Sequence, residues 1–205
     1  MWKKINTGVA VIIIAICLVV FSTTLTRAVW YTPSESELSV PVPTTAPLSA
    51  GAPTPGQWPV TLRVPSLAIV AHVQSVGISK KGNMAVPTNY TDVAWYKGGS
   101  APGQLGSAVF DGHVDNGFGM DGVFKHLGEI KAGDKIITTS KEGKTYTYAV
   151  EKTENYPYTS VPDETIFNAS DAARLNIITC EGAWVAGEKT YDHRLVVYAK
   201  LVSTE

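Results

Sequence analysis

Two cysteines occur in the 205-residue chain, and their settings differ. Cys17 lies inside an uncharged apolar run. Cys180 ends the run LNIITC and is followed by Glu181 and Gly182. A thiol acts as a nucleophile only as the thiolate, so it needs a base or an electropositive neighbour. Cysteines of exported proteins usually pair in disulfides. With Cys17 in an apolar helix, Cys180 has no second cysteine in its own domain to bridge to. A thiol in that position is a buried inert side chain, half of an intermolecular bridge, or a reactive group.

A reactive thiol calls for an acid–base partner, and the chain has four histidines. His72 sits within the alternating run IVAHVQSV and reads as a strand residue. His126, in FKHLGEI, reads as a packed or capping residue, and His193 as a solvated loop residue. His113 closes the run SAVFDGH, where an apolar strand gives way to a polar loop. Sites are commonly built on loops at strand ends, so His113 is the candidate partner. Acyl transfer also needs donors for a developing oxyanion. Arg194, which opens RLVVYAKLV, can supply a guanidinium. Its competing role is a structural ion pair with Asp192 or Glu181.

These residues need a scaffold of strands. Short apolar or alternating runs recur between turn residues: 60–64, 69–76, 92–96, 107–113, 134–139, 144–152, 174–180 and 194–202. Strands of this length and punctuation predict an all-β sandwich or barrel. Helical signal is thin, with a turn or two expected in GVFKHLGEI and DETIFNAS. RLNIITC is apolar on both faces and reads as a central strand. If the chain folds back antiparallel after it, Cys180 and Arg194 become neighbours on one rim.

The rest of the chain divides by composition. Residues 1–31 carry Lys3 and Lys4, then no charge from Ile5 to Thr26. A helix over that stretch is about 33 Å long, enough for a roughly 30 Å hydrocarbon core. The lysines predict a cytoplasmic N-terminus and an extracellular remainder. A cleaved signal peptide fits less well, because no small-x-small pattern follows Phe21 closely. Residues 32–59 are Pro-rich and read as an extended extracellular linker. Residues 60–205 have the size of one domain with its own core. A formal net charge of −1 and the absence of a basic stripe argue against nucleic acid as a partner.

In chain order, RVPSLAI, NYTDVAWYKGGSAPGQLGSAVFDGHVD, GVFKHLGEIKAGDKI, the tyrosine-rich strand KTYTYAVEK, IITCEG and YDHRLVVYAKL resemble the sortases, the cysteine transpeptidases of bacterial surfaces. The resemblance spans nearly all of residues 60–202. The usual T-L-x-T-C motif reads N-I-I-T-C here, with Asn176 and Ile177 as departures. GHVD and HRLVVYA are most similar to class E and class F sortases. The resemblance implies an eight-stranded β-barrel with short helices, preceded by one transmembrane helix. It implies catalytic roles for His113, Cys180 and Arg194, and a part for Thr179 in shaping the substrate site. The implied substrate is an LPxTG- or LAxTG-like sorting signal. The implied acceptor is an amine, from a peptidoglycan precursor or a pilin lysine. No cofactor or metal is expected.

Three other readings remain at this level. One is an L,D-transpeptidase-like cysteine enzyme, although that family carries its arginine just after the cysteine. Another is a metal site in the oxygen-rich loop DGHVDNGFGMDG, whose spacing misses the EF-hand. The last is a non-catalytic binding module on a sortase-like barrel. The stretch 156–173, which leads into the cysteine strand, is expected to line the peptide groove.

Overall fold

A computed structural model describes residues 7–30, 41–43, 52–117 and 119–205. The chain forms two compact units, Met1–Tyr31 and Thr32–Glu205. The first contains one helix, α1 (Thr7–Trp30). Its described side chains, over 8–24, are mostly exposed, with Val11 and Ile12 each 60% exposed and Phe21 66% exposed. Among the described residues, no helix is long and apolar enough to cross a membrane.

The second unit is built on eight strands: β1 (Pro59–Val64), β2 (Ile69–Val76), β3 (Val93–Tyr96), β4 (Gly106–Gly112), β5 (Lys135–Ser140), β6 (Thr145–Pro157), β7 (Ala173–Val185) and β8 (Thr190–Thr204). They close into a barrel in the order β1-β2-β3-β4-β7-β8-β6-β5. β2 with β3 and β4 with β7 are parallel pairs. The other contacts are antiparallel.

Strand alternation divides the apolar residues between two faces. Phe110, Leu175, Ile177 and Val197 point inward with Leu62, Trp95 and Tyr148. Their sequence neighbours Val109, Ile178, Val196 and Tyr198 point outward into a second cluster. That cluster is covered by α2 (Asp163–Phe167), which contributes Ile166 and Phe167. Burying each of those side chains contributes about 1.5–3 kcal/mol. Asn176, which stands where the sortase motif has its first threonine, is fully buried. Its Nδ2 donates to the Ile166 carbonyl at 2.6 Å, pinning α2 to the cysteine strand.

The stretch GVFKHLGEI holds only a 3₁₀ turn, Leu127–Glu129. At the start of this stretch, Gly122 stands where no side chain fits. A Cβ on it would lie 2.3 Å from the His113 carbonyl oxygen and 2.8 Å from the Asp115 nitrogen. This segment is pressed flat against the chain that follows β4.

Arg174, at the start of β7, fastens the far end of the α2 segment. It donates to Asp171 at 2.6 Å and to Glu151 of β6 at 2.5 Å. Hydrogen bonds from Arg174 hold the Asp171 carboxyl at about 2, below its ordinary 3.8, with burial opposing the shift. A carboxyl depressed on folding adds stability above its unfolded pKa and loses it as pH falls through the folded value. Melting temperature is therefore expected to fall between about pH 4 and pH 2. Asp171→Asn should flatten that part of the profile, and an unchanged slope would assign it to other carboxylates.

Candidate active site

β4 and β7 run parallel, with Asp111 opposite Ile178 at the end of their ladder. Beyond it, the Thr179 hydroxyl donates to the Gly112 carbonyl at 2.8 Å and carries the alignment onward. One residue further along come Cys180 and, just past the end of β4, His113, so the register carries both to the same end of the β4–β7 pair. On the other flank of β7, Cys180 lies directly opposite Arg194 of β8. Opposed residues of neighbouring strands share a face. Cys180 and Arg194 have the parity of Ile178 and Val196, so both occupy the outer face that α2 partly covers. All three side chains are buried, with His113 at 3%, Cys180 at 5% and Arg194 at 0% exposure.

The arginine is held by the turn that precedes it. Its Nη1 donates to the Tyr191 and His193 carbonyls at 2.9 and 2.8 Å, and its Nη2 to the Thr190 hydroxyl at 2.7 Å. The Tyr158 ring caps the guanidinium at 6.0 Å, within cation–π range. Asp192, a suspected ion-pair partner of Arg194, is engaged elsewhere. It accepts from His193 Nδ1 at 2.9 Å and from the Ala183 amide at 2.8 Å. Those two contacts, His193 first, hold its carboxyl below the usual range. Glu181, the other suspected partner, lies opposite His193 in the ladder.

His113 Nε2 sits 3.2 Å from the Pro87 carbonyl. A carbonyl only accepts, so Nε2 carries a proton and the exchangeable position is Nδ1. Of the other histidines, His72 and His126 lie outside this grouping, whereas the His193 carbonyl holds Arg194. His72 is near Asp92 at 3.7 Å, and His126 bonds Glu129 at 2.8 Å; both rings are largely exposed.

The run 181–193, read from sequence as a loop, is mostly strand. β7 and β8 continue as a projecting arm, with Trp184 opposite Tyr191 and Val185 opposite Thr190. The register shifts between Glu181 and Trp184, where Gly182 adopts a φ of +87°. A side chain there would be strained in this left-handed conformation and would meet Asp192.

Sequence reasoning passed over Tyr191 and Thr190 as parts of the site, and included Tyr158 only as a member of the stretch 156–173 expected to line the peptide groove. The signal for Tyr191 was an aromatic in an otherwise polar stretch three residues before Arg194. Its ring packs edge-on against Trp184 at 5.3 Å. Its carbonyl holds Arg194, and its hydroxyl donates to Asp115, two residues after His113. Tyr191 thus ties the arm of β7 and β8 to the loop carrying the histidine. Tyr191→Phe is expected to lower kcat about fivefold with KM little changed, since the tie positions groups without touching substrate. Asp115→Asn should do the same, and the double variant should add little further. Fully additive losses in steady-state kinetics would show that the two residues act separately.

A thiol between an imidazole and a guanidinium, on a rim fixed by three adjacent strands, is suited to acyl transfer, and the protein is a cysteine transpeptidase. Its family follows from the sequence itself: the family model described as the sortase domain matches residues 62–202. The chain belongs to the sortase family.

Solved structures agree at the level of fold. Sortase A of Listeria monocytogenes is 20% identical, with a TM-score of 0.53 over 78% of this chain and 90% of that one. Sortase C-3 of Streptococcus pneumoniae is 19% identical, with a TM-score of 0.56 over 87% and 78%. Sortase A of Corynebacterium diphtheriae is 19% identical, with a TM-score of 0.55 over 70% and 60%. No curated protein matches the chain.

Proposed function

We propose that this sortase cleaves an LPxTG- or LAxTG-like sorting signal through a thioester on Cys180. It then transfers the acyl group to an amine of the cell wall or of another protein. The reading is carried by the register that sets Cys180 opposite Arg194, with His113 just past the end of the strand parallel to that of the cysteine.

The Cys180 thiolate attacks the threonine carbonyl, whose oxygen takes up the electron pair. Arg194 stabilises that oxyanion and holds the substrate backbone. As the peptide bond breaks, the leaving amine takes a proton from imidazolium His113 and a thioester remains. An incoming amine attacks the thioester and gives a proton to neutral His113, and the thiolate leaves. Histidine and thiolate are thereby restored. Thr179, bonded to the strand before His113, keeps the two strand ends aligned at the substrate site.

Residues 1–31 serve as a single-pass anchor with a cytoplasmic N-terminus. The 24-residue α1, the exposed apolar side chains along it and the preceding lysines support this. Residues 32–59 act as an extracellular linker, and residues 60–205 as the catalytic domain at the outer membrane surface. The subclass is E- or F-like, on the strength of GHVD and HRLVVYA.

The test uses the full chain in detergent with LPxTG and LAxTG peptides and a set of amines. Mass spectrometry should find a peptide-sized adduct on Cys180 that is absent in Cys180→Ala and is released by amine. The preferred peptide decides between the two signals. A folded protein with a reactive thiol, no adduct and no cleavage of either peptide would overturn the reading.

A further inference from the structure

The carbonyl that meets His113 Nε2 belongs to Pro87, which is buried, and the next residue is Thr88. The Pro87 carbonyl and the Thr88 amide are therefore two ends of one planar, trans peptide group, and they point to opposite sides of the chain. On one side the carbonyl faces the imidazole at 3.2 Å. On the other the Thr88 amide donates to Gln74 Oε1 at 3.1 Å, and the Thr88 hydroxyl reaches the same oxygen at 3.2 Å. Gln74 and His113 thus hold one peptide plane by its two edges.

Gln74 is itself fixed. It is half-buried on β2, opposite Ala94 of β3. Its Nε2 donates to Asp92 Oδ2 at 2.8 Å, and that oxygen also accepts from Asn89 Nδ2 at 2.9 Å. Asn89 Oδ1 in turn accepts from the Asp92 amide at 2.7 Å. A flipped Gln74 amide would set donor against donor at Thr88 and acceptor against acceptor at Asp92, so its orientation is determined by its partners. One side chain closes the 88–92 turn at both ends. β3 and β4 lie between β2 and the cysteine strand, which keeps Gln74 away from the reacting atoms.

We propose that Gln74 is a positioning residue for His113 and acts through the Pro87–Thr88 peptide. Held at its N–H, the peptide keeps its carbonyl aimed at Nε2. The bond from Nε2–H then fixes the ring and its tautomer, with Nδ1 as the nitrogen that takes and gives the proton. A hydrogen bond at the peptide N–H also polarises the carbonyl and strengthens the bond it accepts. A backbone carbonyl backed by a glutamine does here what a buried carboxylate does for the histidine of a Ser-His-Asp triad. This rests on His113 as the acid–base residue of the proposed transfer.

The experiment uses the full chain in detergent and two variants. Gln74→Met keeps the length of the side chain and removes its hydrogen bonds. Its kcat for the peptide that the parent acylates is expected to fall about tenfold, with KM within about twofold. Gln74→Glu keeps an acceptor for the Thr88 amide and should recover most of that loss. A role confined to supporting the turn gives the reverse order, because glutamate sets a second carboxylate beside Asp92.

Proton spectra of protein labelled with nitrogen-15 histidine read the tie without substrate, His113 being assigned from its loss in His113→Gln. The parent should show a slowly exchanging proton on His113 Nε2. Gln74→Met should lose that protection and Gln74→Glu should keep it. An unchanged kcat in Gln74→Met, a larger loss in Gln74→Glu than in Gln74→Met, or a Nε2 proton equally protected in Gln74→Met would each overturn the proposal. Absence of the Cys180 adduct in the parent is a different result, because it strikes the transfer reaction and leaves the Nε2 signal untouched.

Discussion

Arg194→Ala is expected to lower kcat for peptide transfer by about 10²–10³-fold, the usual cost of removing one preorganised donor from a developing oxyanion. The physical basis is the way the guanidinium is held. It is fully buried, and the Tyr191 and His193 carbonyls and the Thr190 hydroxyl fix its direction. A charge held still in a site shielded from water needs no reorganisation as the oxyanion forms. Arg194→Lys keeps the charge but loses the planar fork, because one ammonium cannot satisfy three fixed acceptors and also face a substrate. It should recover no more than about tenfold of the loss. Iodoacetamide labelling of Cys180 makes no oxyanion, so it should slow far less than transfer in both variants. Equal slowing of labelling and transfer would instead place Arg194 with the activation of the thiol.

His113→Ala is expected to lower peptide acylation by about 10²–10⁴-fold near neutral pH, the range for a lost general acid. Two functions are removed together: protonation of the leaving amine and stabilisation of the thiolate. A nitrophenyl ester carrying the same acyl group separates them, because its leaving group departs without a proton. Raising the pH to about 9 favours the thiolate without help from a histidine, since an ordinary thiol has a pKa of about 8.5. Ester acylation by His113→Ala should there return to within about tenfold of the parent, while peptide acylation stays low. Recovery of both substrates at high pH would remove the acid role and leave only thiol activation.

The elements with a buried face were legible in the sequence. β2 matches its apolar run from Ile69 to Val76, and the antiparallel return from β7 to β8 brings Cys180 opposite Arg194. The projecting parts were not. β6 continues five residues beyond Lys152, and the arm of β7 and β8 runs through residues read as a loop. There both faces are largely polar and Gly182 inserts a bulge, so the period-2 pattern that marks a half-buried strand is absent.

The placement of His113 was legible only as a strand end. Its position next to Cys180 depends on a parallel pairing between β4 and β7, and nothing in either run specifies its partner strand. Tyr191, and the contact of Tyr158 with Arg194, were hidden for a related reason. Their work is done through a backbone carbonyl and a ring face, and neither leaves a motif.

The bond from Thr179 to the Gly112 carbonyl joins positions 67 residues apart in the chain. Contacts of that span form late in folding, because loop-closure entropy must be overcome before they contribute. Until β4 and β7 meet, Cys180 has Arg194 opposite it through the β7–β8 return but lacks the histidine. The pairing of thiol with acid–base partner is therefore completed only when the barrel closes between β4 and β7. The labelling rate of Cys180 during refolding is accordingly a clock for the completion of the fold.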